Sequence, residues 1–163
     1  MIARSSLVGL SMLLMAMSAP AQADGAMADR EGWRSIDTQF TYGELLKNLK
    51  NAITQIDMRL VTQASASAGA KAAGVEIPGN AVVGVFRNDY ARRMLEASIA
   101  AGIEAPIRFY VTENASGTAT LSWKTPSFVF QPYEKEGGDA LVELGQELDQ
   151  VFLSIAELAT GNM

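Results

Sequence analysis

The chain has 163 residues, 13 Lys and Arg against 18 Asp and Glu, a net charge of −5, and neither cysteine nor histidine. Without those two residue types, thiolate catalysis, thiol redox work, iron–sulfur ligation, covalent haem attachment, the usual zinc and copper sites and a Ser-His-Asp triad are excluded. The acid excess argues against a nucleic-acid partner, which requires a basic stripe, and against binding to an anionic membrane.

Residues 1–23 have the layout of a secretory signal. Arg4 precedes an apolar run from Leu7 to Met17, and small residues follow, ending in the small-x-small cleavage site Ala21-Gln22-Ala23. The run is shorter than the roughly 20 residues that a membrane-spanning helix needs. Cleavage after Ala23 and no membrane insertion are expected, with a periplasmic or secreted location. The mature chain then carries 12 Lys and Arg against 18 acids, a net charge of −6. It reads as a flexible leader over 24–32 and a single domain over 33–163.

Trp33 to Phe40 alternates in polarity and predicts a first strand. Thr41-Tyr42-Gly43-Glu44 is a capping box that opens a helix with Leu45, Leu46, Leu49, Ile53 and Ile56 on one face. Met58 to Thr62 predicts a second strand. Gln63 to Gly74, rich in Ala, Ser and Gly, predicts a short helix, and Pro78-Gly79-Asn80 a turn. The apolar run Ala81 to Phe86 predicts a central strand with Val82, Val83 and Val85 buried. Asn88 or Asp89 is expected to cap a helix from Tyr90 to Ala101, ended by Gly102. Ala105–Glu113 and Thr118–Lys124, joined by Asn114-Ala115-Ser116-Gly117, predict a hairpin.

Thr125 to Gly138, with Pro126 and Pro132, reads as a long connection. From a cap at Asp139, the seam Leu141, Leu144, Leu148, Val151, Ile155 and Leu158 predicts a closing helix over Ala140–Ala159, roughly 30 Å long. That helix contains no Lys or Arg, so two copies would repel and the seam is expected to cover the sheet rather than form a coiled coil. The expected class is α+β: an antiparallel sheet with helices packed on one face, in β-α-β4-α order.

The element order, with Gly74-Val75-Glu76-Ile77-Pro78, Val85-Phe86-Arg87-Asn88-Asp89, Met94-Leu95-Glu96-Ala97-Ser98 and Ala105-Pro106-Ile107-Arg108-Phe109-Tyr110-Val111, resembles domain-of-unknown-function family 302. The resemblance covers most of the mature chain. It implies a compact fold similar to the TATA-binding-protein-like class, often dimeric, and no assigned activity. Phe86-Arg87-Asn88-Asp89 stands where the family pattern has Phe-Gly-Asn-Pro. The histidine common before the Gly-x-x-Leu-Pro turn is missing from Gln63 to Ala73, so no histidine-dependent role carries over.

Arg87, Arg92 and Arg93 gather at a helix N-terminus, where exposed N–H groups and the macrodipole attract anions. Together with Asn88, and with Arg108 and Lys124 on one face of the hairpin, they form a candidate site for a small anionic ligand. Arg87 and Asn88 are expected at the mouth of the main depression. The competing reading makes Asp89–Arg93 and Arg92–Glu96 ordinary i,i+4 ion pairs. Tyr90, Tyr110, Trp123 and Tyr133 are candidates for a pocket wall or for the core. Glu134, Glu136 and Asp139 lack the spacing of a calcium loop, so neither metal nor cofactor is expected.

No base and nucleophile are paired at sequence level. The sequence therefore points to a non-enzymatic periplasmic module binding a small ligand or a partner. A carboxylate- or Lys-based enzyme and a structural dimer subunit of an envelope assembly are the alternatives. Expected partners are a small anionic ligand, an envelope protein or a second copy in a homodimer.

Overall fold

A computed structural model describes residues 30–162; the expected signal peptide and the leader before Arg30 lie outside the described residues. The elements are β1 (Trp33–Asp37), α1 (Tyr42–Gln55), β2 (Arg59–Ala64), α2 (Ala66–Ala72), β3 (Asn80–Phe86), α3 (Asn88–Ala97), β4 (Ile107–Glu113), β5 (Ala119–Lys124), α4 (Pro126–Phe130) and α5 (Glu134–Thr160). Short 3-10 turns at Ala100–Glu104 and Gln131–Tyr133 join α3 to β4 and α4 to α5.

Local chemistry sets the first helix. The Glu44 N–H donates to the Thr41 hydroxyl at 3.4 Å and the Thr41 N–H donates to the Glu44 carboxylate at 2.9 Å, so the capping box forms as its sequence predicts. Leu45, Leu49, Ala52 and Ile53 are then buried on one stripe. All pairs in the five-stranded sheet are antiparallel, in the order β1-β5-β4-β3-β2. This is the α+β architecture expected, with the two edge strands joined by α1.

Strand parity divides the sheet into two unlike faces. Val83 and Val85, Ile107, Phe109 and Val111, and Ala119, Leu121 and Trp123 point inward and are buried. They pack with the apolar sides of α1, α3 and α5 in one core cluster. The Phe152 ring on α5 stacks on Phe109 with centroids 4.6 Å apart, so the closing helix lies over the sheet. Side chains of opposite parity, among them Val82, Arg108, Tyr110 and Lys124, belong to a face that these helices leave uncovered.

Several expectations are corrected. β3 is an interior strand, but β4 is the central one, and Val82 is half-buried on the uncovered face because the parity that buries Val83 turns its neighbour outward. Neither Asn88 nor Asp89 caps α3: Arg87 holds the N-cap position without a side-chain cap bond, and Asp89 is drawn to Arg87 instead. The helix stops at Ala97, where Ser98 leaves helical geometry and its hydroxyl accepts the Ala101 N–H. The stretch 125–138 is largely helical. Pro126 sits in the first turn of α4, where its missing N–H costs nothing, and Ser127 is tied to α5 by its N–H and hydroxyl donating to Asp149 at 2.9 and 2.6 Å. A break at Gly138, with φ of 57°, separates the first turn of α5 from the continuous helix that follows.

Candidate functional site

Two depressions contain the cations singled out by sequence. The first lies where β3 runs into α3, holds about 710 Å³ and is lined by Asp57, Arg59, Phe86, Arg87, Asn88 and Asp89. Arg87 is engaged there by Asp89 and Tyr90. Its Nε and Nη2 donate to the two Asp89 carboxylate oxygens at 2.8 and 3.0 Å, and its guanidinium lies 4.0 Å from the Tyr90 ring centre. The hydrogen bond to Asp89 raises the Arg87 pKa, and the same bond holds the Asp89 carboxyl below its ordinary value. Tyr90 is shifted upward, chiefly by burial.

The i,i+4 pairs expected on α3 do not form. Arg93 crosses to α5 and meets Glu147 at 2.8 Å, since α3 packs on α5 and offers Arg93 an acid on the facing helix. That bond lowers the Glu147 pKa. Arg92 is exposed on α3 and lines neither depression.

The second depression is the uncovered face of the sheet, about 540 Å³, and its lining includes Trp33, Ala64, Val82, Arg108, Tyr110 and Lys124. Glu104, at the rim, accepts the Tyr133 hydroxyl proton at 2.8 Å. The Lys124 ammonium stands 5.8 Å from the Trp33 ring centre. Ser35 and Ser122 hydroxyls meet at 3.1 Å on the same face. Arg87 and Asn88 thus belong to one depression and Arg108 and Lys124 to the other, so the structure does not bring the predicted ligand residues together.

The aromatic candidates also divide. Trp123 points into the core with its ring 5.7 Å from Phe109 and borders the second hollow, Tyr90 is buried under Arg87, and Tyr110 has the strand parity of the uncovered face. Trp33, read in the sequence only as a strand residue, is the aromatic that the register sets beside Lys124. Among the described residues no group of three or more acids is placed to hold a metal ion, and Glu136 is hydrogen-bonded by the Ser98 hydroxyl. No helix among them is long and apolar enough to cross a membrane.

The family described as Domain of unknown function DUF302 matches residues 34–155. Among solved structures, the chain is similar to the crystal structure of an uncharacterized conserved protein DUF302 from Bacillus stearothermophilus. The two superpose with a TM-score of 0.70 at 15% identity, over 80% of this chain and 99% of that one. No curated protein matches the chain.

Proposed function

This chain belongs to the DUF302 family, and from that premise and its geometry we propose that it is an exported, non-catalytic binding module whose working surface is the uncovered face of the sheet. The observation that carries the reading is the asymmetry of the sheet. One face is sealed by α1, α3 and α5, while the other presents an open hollow with Trp33, Tyr110 and Val82 beside Arg108 and Lys124. A hollow of about 540 Å³ falls within the roughly 300–1,000 Å³ of small-molecule sites, which combine an apolar wall with a few polar groups. In the other depression Arg87 is already held by Asp89. Export rests on the layout of residues 1–23.

Native mass spectrometry of protein recovered from the periplasm tests this. The polypeptide is expected to begin at Asp24 and to retain a small-molecule mass that Val82→Asp abolishes without unfolding. A parent protein that retains nothing overturns the ligand-binding reading, and a chain still starting at Met1 overturns export.

A second reading, a protein contact with an envelope partner or a second copy, is favoured by Ile99 and Ile103, exposed at 83% and 79% beside the half-exposed Leu95. The turn that displays them is fixed by the Ser98–Glu136 and Tyr133–Glu104 hydrogen bonds. Sedimentation of Ile99→Asp and Ile103→Asp tests it: a parent dimer giving folded monomeric variants supports a homodimer through this knob. A parent that sediments as a monomer excludes the homodimer.

A further inference from the structure

Strand register lays a row of side chains across the uncovered face. On β1, Trp33 pairs with Lys124 of β5, and on β3, Gly84 pairs with Arg108 of β4. The β4–β5 register sets Phe109 opposite Trp123 and Tyr110 opposite Ser122; continued by one residue it puts Arg108 across from Lys124, and both line the same hollow. Two like charges facing each other across an antiparallel pair, with Cβ atoms about 4.5–5.5 Å apart, destabilise the sheet.

Among the described residues, neither cation has an acid within ion-pair distance. The ion pairs among the described residues are Arg87–Asp89 and Arg93–Glu147, and both lie elsewhere. The two acids bordering this face each accept a protein hydroxyl, Thr120 donating to Asp37 at 2.7 Å and Tyr133 to Glu104 at 2.8 Å, and neither forms an ion pair with Arg108 or Lys124. A chain with 18 acids and 13 bases thus has, among its described residues, a cationic couple without an ion pair on the sheet face that α1, α3 and α5 leave open. An anion between the two heads removes the repulsion. The guanidinium fork suits both oxygens of a carboxylate, and the ammonium adds a point charge beside it.

The neighbouring row of the same face supplies an apolar bed. Ser122 pairs with Tyr110, Tyr110 with Val82, and Val82 with Ala64, so Tyr110, Val82 and Ala64 lie side by side on β4, β3 and β2. Three strands at a spacing of about 4.8 Å give a track roughly 10 Å long. A polyanion does not suit the site, because the net charge of this chain is negative and the two cations match a single small anionic head.

We propose that the uncovered face binds a small organic carboxylate with an apolar body about 10 Å long, its head between Arg108 and Lys124 and its body over Tyr110, Val82 and Ala64. This rests on the reading of that face as the binding surface and names the class of ligand it takes.

Chemical-shift titration of the isotope-labelled mature protein at pH 7 with octanoate, octanol and acetate tests it. Octanoate is expected to shift Val82, Arg108, Tyr110 and Lys124 and to bind at least tenfold more tightly than octanol, which lacks the charge, or acetate, which lacks the body. Arg108→Gln and Lys124→Gln should each weaken octanoate about tenfold, while Lys47→Gln, on the exposed side of α1, changes nothing. Without ligand, Arg108→Gln should melt no lower than the parent, because a repulsion has been removed; a merely structural arginine would lower it. If octanol matches octanoate, or Arg108→Gln binds like the parent, the carboxylate assignment falls and the face stays a binding surface. Shifts confined to other parts of the molecule, or none with any probe, overturn both.

Discussion

Asp57 follows the last turn of α1 with φ of 56°, the one described non-glycine residue in the left-handed region. That conformation is unfavourable for an L side chain, and a carboxylate just past a helix C-terminus also meets the negative end of the macrodipole. Glycine removes both penalties, so Asp57→Gly should raise stability by about 1 kcal/mol, read as a higher urea midpoint with an unchanged slope. Arg87 makes the opposite case. Read in sequence as an anion ligand, it is committed to Asp89 and Tyr90. The ion pair is partly exposed, so Arg87→Ala should lower stability by only about 1 kcal/mol and leave carboxylate binding on the sheet face unaltered. Sequence spacing did not reveal this because Arg87 and Asp89 are two residues apart, too close for a helical pair, and meet only because the chain turns into α3 at Arg87.

Between elements, α5 approaches the backbone of α4 closely at Gly145. A Cβ on Gly145 would lie 2.9 Å from the Ser127 Cα, a backbone atom that Asp149 anchors by two hydrogen bonds. Gly145→Ala gains helix propensity but forces the two helices apart, and overpacking of this kind typically costs about 1–3 kcal/mol. A lower melting temperature for Gly145→Ala is the expected result. Leu148, buried on α5, should cost about 2–5 kcal/mol when cut to Ala. Leu153 on the same helix is exposed and should cost well under 1 kcal/mol. The apolar seam made α5 legible, but α4 was not, since five residues with a proline and two aromatics give no periodicity to count.

For the molecule as a whole, the missing histidine and cysteine set the pH response. Asp89 and Glu147 have depressed folded pKa values, so their contribution is present above the unfolded carboxylate range and is lost as pH falls through the folded values. Melting temperature should therefore be flat between about pH 5 and 8 and decline only below about pH 4. A midpoint near neutrality would show a titrating group that the side chains do not supply. The sequence by itself determined the excluded chemistries, the order of strands and helices apart from α4, the capping box at Thr41 and the β4–β5 hairpin, because composition, local hydrogen bonding and period-two or helical spacing are written along the chain. Only the tertiary structure decided that Arg87 and Lys124 belong to different hollows, that Val82 faces outward, that Arg93 reaches Glu147, and that Trp33, Lys124 and Arg108 stand in one row. Those facts depend on register and on which sheet face the helices cover, and both are set by pairings between residues far apart in sequence.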